Sequence, residues 1–246
     1  MAQNYGPKIP TDSSLTLAFN AADRNSYPGS GTNWYDLSSH SYNSTLNNGP
    51  TFTSAYGGGI VLDGSNDYVE GSNDLTNEIG STGEISIVAV AKVSNMSARA
   101  PLLGKYQPYA PYGYAFELGS YPGYWNSMRF YAQGYSGYYS SDYRGSTLLT
   151  SNKVYMFSCL FAPGSSVMKM YYNLTQMPAT QQNINWTSTA GTYWEYAYTP
   201  FYLGSYQPAV GVYGNMTIYN TYVYNRILSF TELTQIYNVQ KTHYNL

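Results

Sequence analysis

Carboxylates are the first residues to test for chemistry. Retaining glycoside hydrolysis needs an acid and a nucleophile about 5 Å apart. One strand supplies that pair on alternate residues, as Glu-x-Asp-x-Glu. Glu70, Glu78, Glu84, Glu117, Glu195 and Glu232 stand isolated from any such pattern, and Asp67 with Glu70 belongs to a turn and the strand after it. No Gly-x-Ser-x-Gly elbow, phosphate-cradling glycine loop or His–Glu zinc motif occurs. His40 and His243 are too few for a three-histidine zinc site and read as loop and tail residues. The lone Cys159 excludes an intramolecular disulfide and any multi-cysteine metal site, and its apolar run Val154–Ala162 marks it as a core thiol. These absences predict a protein that is not an enzyme and has no resident cofactor.

Calcium is the one metal for which ligands are present. A hard cation takes carboxylate and carbonyl oxygens, and Asp63 and Asp67 are the candidates, with Asp23 and Asp36 behind them. The competing role is structural: in Asp63-Gly64-Ser65-Asn66-Asp67 both aspartates are placed to cap a tight turn.

The aromatic residues carry the stronger signal. Of 31 tyrosines, 11 fall between Tyr106 and Tyr143, together with Trp125, Phe116 and Phe130, and Gly and Pro break the run. Tyr114, Phe116 and Phe130 lie within expected strands and read as core. Tyr109, Tyr112, Tyr121, Tyr124, Trp125, Tyr135, Tyr138 and Tyr139 lie in or beside turns. Tyrosine among Ser, Gly and Asn makes an adaptable recognition surface at low rotamer cost. Such a surface stacks on sugar rings or buries itself against another subunit. Between residues 171 and 225 the only charged residue is Glu195, a depletion that suits a subunit interface.

Composition sets the limits around these sites. The 246 residues are enough for one large all-β domain with a sizeable core. Only 10% are charged and the net charge is −2, so nucleic-acid binding by phosphate neutralisation is excluded. So little charge normally endangers solubility, a pressure that a subunit within an assembly escapes. No stretch approaches the 18 or so apolar residues of a membrane span, and residues 1–8 show no apolar secretion signal, so neither membrane insertion nor classical secretion is expected. Five Asn-x-Ser/Thr sequons, as at Asn95 and Asn173, then read as chance products of an Asn-rich chain.

The elements that must position these residues are strands. Residues 1–10 read as an extended arm and 11–246 as a single domain. Leu15–Phe19 alternates, Gly59–Asp63 and Tyr68–Val69 read as a hairpin, and Glu84–Val93 is the strongest strand, with Val88 and Val90 implying cover on both faces. Further strands are expected near 101–105, 113–119, 127–133, 154–162, 167–173 and 200–206, a spacing of sandwiches and barrels. Ser229 and Glu232 form a capping box that starts a helix over about 230–240, with Phe230, Leu233, Ile236 and Tyr237 on one face.

Several segments together resemble the laminin G-like, concanavalin A-like jelly roll. They are Ser26–Ser38, Leu46–Phe52, Gly58–Val69, Leu103-Gly104-Lys105 and Val223–Leu233, in this order over about nine-tenths of the chain. The resemblance implies an antiparallel two-sheet jelly-roll sandwich closed by the C-terminal helix, with Trp34 plugging one end. Ser39-His40-Ser41-Tyr42 replaces the usual Gly-rich turn, which puts any inherited ligand site in doubt before it touches the fold. The opening Tyr5–Ile9 and the ending Tyr237–Lys241 resemble the version in virion proteins of tailed, especially marine, phages. That implies a virion surface or structural subunit, made in the host cytoplasm and assembled on head or tail with copies of itself or other virion proteins through its Tyr-rich, charge-poor surfaces. The alternative is a receptor-binding adhesin or lectin holding host surface polysaccharide through its Tyr-rich loops.

Overall fold

The computed structural model describes residues 9–72, 83–107, 112–121, 124–133, 140–162, 168–184 and 200–246. In chain order the strands are β1 (Leu15–Asn20), β2 (Asn33–Trp34), β3 (Ser44–Asn47), β4 (Thr51–Thr53), β5 (Gly59–Asp63), β6 (Tyr68–Glu70), β7 (Ile85–Val93), β8 (Arg99–Gln107) and β9 (Tyr112–Tyr121). They continue as β10 (Tyr124–Gln133), β11 (Ser140–Gly145), β12 (Val154–Phe161), β13 (Met168–Tyr172), β14 (Thr175–Met177), β15 (Ala179–Ile184), β16 (Tyr202–Leu203) and β17 (Asn215–Tyr224). One α-helix follows among the described residues, α1 (Phe230–Tyr244).

Two antiparallel sheets result. Sheet A runs β14-β13-β12-β7-β17-β5-β4, with β1 also on β17, and sheet B runs β15-β11-β10-β9-β8-β16-β6-β3-β2. Alternation sends one face of each inward. Ile85, Ile87, Ala89, Ala91 and Val93 of β7 meet Tyr114, Phe116 and Leu118 of β9 and Met128 and Phe130 of β10 in one core. Trp34 is wholly buried there and stacks on Phe19 with ring centroids 4.8 Å apart. Cys159 is buried in the same core, which pushes its thiol well up. The two-sheet antiparallel sandwich with a C-terminal helix is thus the observed fold.

β7 is covered on both faces, as its continuous apolar run implies. Val88 and Val90 join Tyr222, Leu228, Leu233, Ile236 and Tyr244 in a second core beneath α1. The helix begins at the reciprocal Ser229–Glu232 capping box and runs one turn beyond the expected end, to Tyr244, with Asn245 in the left-handed C-cap conformation. Its buried face is Leu233, Ile236, Gln240 and Tyr244; Phe230, at the first helical position, is 56% exposed. Arg226 ties the helix to the chain's start by bonds to Glu232 at 2.6 Å and to Asp12 at 2.8 Å. Of the expected arm, residues 1–8 lie outside the described residues, Ile9 packs against the second core and the Pro10 carbonyl accepts from the Tyr224 hydroxyl at 3.0 Å.

Two expectations are corrected. Gly59–Asp63 and Tyr68–Val69 do not pair as a hairpin: β5 adds to β17 in sheet A and β6 to β3 and β16 in sheet B. The turn between them is a corner that carries the chain from one sheet to the other. Ile60, Leu62 and Val69 are all fully buried, so local alternation is the same for either topology. The strand expected over 200–206 is only Tyr202–Leu203, because Gly204 takes a positive φ of 80° and Leu62 leaves no room for a side chain there.

Candidate functional site

Glu117 on β9 points away from the core, yet it is buried. Its side chain is 4% exposed between two guanidinium groups: Arg99 Nε of β8 donates to Oε1 at 2.7 Å, and Arg129 Nη1 of β10 reaches Oε2 at 3.3 Å. Strand register makes this trio. Glu117 is directly opposite Arg129, and Arg144 of β11 is directly opposite Arg129 in turn. A bulge between Tyr124 and Ser127 sets that register; without it the Tyr121–Tyr124 pair would place Met128 opposite Glu117.

Tyrosines frame the charges. Arg99 Nη2 donates to the Tyr206 hydroxyl at 2.6 Å and its guanidinium lies 4.9 Å from the Tyr206 ring. The Arg129 guanidinium is 5.3 Å from the ring of Tyr131, within cation–π range. Tyr206 arrives on the segment after β16, which closes on itself through the Ser205–Tyr213 bridge and the Gly214 N–H donating to the Gly204 carbonyl at 2.8 Å. It can lie on sheet B because Gly104 beneath it has no side chain: a Cβ there would stand 3.1 Å from the Tyr206 Cα. Burial, then the Glu117 charge, pushes the Tyr206 hydroxyl well above its ordinary range, so it stays a neutral donor. The same segment brings Tyr213 to Tyr68, with centroids 6.4 Å apart, and Tyr68 meets Tyr202 at 5.9 Å.

One unbroken row crosses the sheet on this face: Asp142, Tyr131, Ala115, Gly104, Tyr202, Glu70, Thr45 and Asn33 are successive register partners. Tyr131, Tyr68, Tyr213 and Glu70 are half-buried along it, and Arg99 of the neighbouring row is a third exposed. Half-buried rings, guanidinium donors and one carboxylate can stack on the apolar face of a sugar ring and hydrogen-bond its hydroxyls.

The aromatic residues singled out from the sequence divide between the two ends of this sheet. Tyr112 begins β9 opposite Gln107, at the end where β10 finishes at Gln133. Tyr121, Tyr124 and Trp125 lie at the other end, where Tyr121 pairs with Tyr124. Tyr109, Tyr135, Tyr138 and Tyr139 lie outside the described residues. Arg99, Glu117, Arg129, Tyr68, Tyr202, Tyr206 and Tyr213 are additions from the structure. The signal available in sequence was the presence of Arg99, Glu117 and Arg129 on three consecutive strands of a charge-poor chain.

The calcium candidates serve their turns. Asp67 is buried and its Oδ2 accepts from the Asp63 N–H at 3.1 Å, while Asp63 Oδ1 accepts from the Ser65 N–H at 2.7 Å. The bond from Ser65 lowers the Asp63 carboxyl, and burial raises that of Asp67. Asp36 accepts from the N–H groups of Ala18, Ser38 and Tyr42, and Asp23 from that of Asn25. Among the described residues no three His, Cys, Asp or Glu side chains come together. No described helix is long and apolar enough to cross a membrane.

No family model matches the sequence, and no curated protein is similar to it in sequence. Solved structures do share the fold. A Trypanosoma rangeli sialidase in complex with sialic acid is similar over 96% of this chain at a TM-score of 0.65 and 14% identity. The binding domain of Paraclostridial Mosquitocidal Protein 1 is similar over 94% at 0.66 and 12%. A structure of botulinum neurotoxin type C, whose cell entry is dependent upon interaction with two ganglioside molecules, is similar over 93% at 0.68 and 12%. The chain spans 34% of the sialidase chain and 53% and 52% of the two toxin chains. One expectation is corrected by these neighbours: the absence of paired carboxylates and motif signatures does not make the chain a non-enzyme, since its fold is shared with a sialidase chain. The carboxylate-spacing test fails for a physical reason. Sialidases use a tyrosine nucleophile instead of the second carboxylate, so that chemistry leaves no Glu-x-Asp-x-Glu trace. At these identities the likeness shows a β-sandwich fold and assigns no activity.

Proposed function

We propose that the chain is a carbohydrate-binding adhesin module that holds cell-surface polysaccharide on the outer face of sheet B. The observation that carries this reading is the Arg99–Glu117–Arg129 cluster framed by Tyr131 and Tyr206. Fixed donors and an acceptor beside half-buried rings are the usual equipment of a polar ring-binding surface. The aromatics expected from the sequence, Tyr109, Tyr112, Tyr121, Tyr124, Trp125, Tyr135, Tyr138 and Tyr139, belong to the same proposal. The neighbours lend support, since one is a toxin whose cell entry depends on ganglioside molecules. A glycan array followed by calorimetry of the best ligand tests it. Tyr131→Ala and Arg129→Ala should each weaken binding about tenfold, the loss of one stacked ring or one charged hydrogen bond. Unchanged affinity in both variants would end the proposal.

A second reading retains the virion-surface subunit, assembled with its own copies or other virion proteins, and rests on the single charge between residues 171 and 225. Imaging of antibody-labelled particles tests it. Label on the head supports an assembly role, label at tail tips joins the two readings, and unlabelled particles overturn the virion setting.

A further inference from the structure

A cleft of about 890 Å³ opens on the other side of the molecule, between α1 and the outer face of sheet A. Its size suits a small ligand. Ala18, Ala22, Leu37 and Val239 give it apolar walls, and Leu37 is 42% exposed at its mouth. Tyr222, Asn20, Asp23, Gln240 and His243 add polar groups.

Those polar groups are held in place from behind. Asn220 accepts from the Val90 N–H at 3.0 Å and donates to Gln240 Oε1 at 3.1 Å, and Gln240 Nε2 donates to the Tyr222 hydroxyl at 3.4 Å. The Tyr222 O–H therefore keeps its own proton to give. Asn20 uses its Oδ1 on the Ala22 N–H at 3.1 Å, which leaves its NH₂ as a donor. Asp23 uses Oδ1 on Asn25 and keeps Oδ2 as an acceptor. His243 Nε2 faces the Tyr56 carbonyl at 2.6 Å, so it must donate, and in that tautomer Nδ1 is the acceptor.

Behind His243 and Tyr244, which line the cleft, is a strained aromatic turn. Tyr56 is 40% exposed with φ 52° and ψ 37°, a left-handed conformation costly for a bulky residue. It is retained by the His243 bond, by Tyr219 at 5.5 Å edge-on and by Tyr244 at 6.0 Å.

We propose that this cleft is a second ligand site, taking one polyhydroxylated ring such as a pyranose unit. Hydroxyls that both donate and accept match the alternation of Tyr222, Asn20, Asp23 and His243. The ring's C–H face meets the aliphatic wall, and Tyr56 holds His243 from behind. This site is separate from the sheet B face and does not depend on it.

Saturation-transfer NMR on the intact chain tests the site, with methyl glucoside, methyl galactoside, N-acetylglucosamine and N-acetylneuraminic acid as probes. At least one probe should give signal. Val239→Trp, which fills the cleft from the helix surface, should abolish it. Tyr222→Phe, which removes one hydroxyl and keeps the ring, should weaken it about tenfold, the scale of one hydrogen bond. Tyr131→Ala on the opposite sheet should leave this signal in place. Signal that survives both cleft variants and vanishes with Tyr131→Ala would overturn the second site and leave the sheet B reading intact. No signal from any probe would overturn the second site and leave the sheet B reading to the glycan array. Should Val239→Trp lower the melting temperature, Tyr222→Phe and Asp23→Asn, which keeps the turn's Oδ1 acceptor, decide the result.

Discussion

Sheets A and B share one core but use their outer faces in opposite ways. Sheet A hides most of its outer face: α1 seals Val88, Val90, Met156 and Tyr224 beneath Leu233 and Ile236, and the cleft opens beside Tyr222. Polar groups there, such as Asn220 and Gln240, bond to one another. Sheet B leaves its outer face to tyrosines and to a carboxylate held between arginines. The difference teaches where stability and recognition are separable. Away from the cleft, an outward side chain of sheet A belongs to a second core; on sheet B it is a surface group already desolvated and ordered, at little further entropic cost to a ligand.

Substitutions can break this comparison, starting with the largest expected effect. Ile236→Ala, in the second core, should cost about 2–4 kcal/mol in urea unfolding as a buried large-to-small change. Glu117→Ala leaves two guanidinium groups without their shared carboxylate. It should cost about 2–3 kcal/mol, below the range for a fully buried pair because Arg99 is a third exposed. A cost near zero would mean that water already shares the cluster, and sheet B's outer face would then be ordinary surface.

Acid should loosen the helix before the sheets. Hydrogen bonds from Arg226 first, with help from Ser229, hold Glu232 at about 2 against an ordinary 4.5. Asp12 lies at about 2 against 3.8, through Ser14 first and then Arg226. Both folded-state values are depressed, so their stabilisation is complete above about pH 4.5 and disappears as pH falls toward 2. Solvent screening keeps the total to about 1 kcal/mol. Helix circular dichroism of wild type and Arg226→Met against pH checks this, since the variant should show a smaller step, with only the Ser14 and Ser229 bonds left. Smallest on stability is Tyr131→Ala, expected within about 0.5 kcal/mol of wild type, while glycan affinity falls. A large stability loss there would erase the separation between the faces.

The sandwich, the doubly buried β7 and the helix start were legible because each rests on local pattern: alternation, an unbroken apolar run and a capping box. The corner at Gly64–Asp67 was not, since a hairpin and a sheet-to-sheet crossing bury the same residues. Nor was the Glu117 cluster. Its register depends on the bulge before Ser127, and Tyr206 lies over Gly104, where a Cβ would crowd it at 3.1 Å, both facts of tertiary structure. Lys105 is a further case: a charge the sequence would place outside lies wholly buried on the core-facing side opposite Tyr114.

β17 is the seam of sheet A. It pairs with β7 along one side, and with β5 and then β1 along the other. A ribosome must therefore deliver residue 224 before strands made some two hundred residues earlier find their neighbour. Until then β1 and β5 expose bare edges, the kind that invite pairing between chains. Assembly of sheet A accordingly waits for β17. A stop anywhere before 215 would leave those edges bare and yield an aggregating fragment.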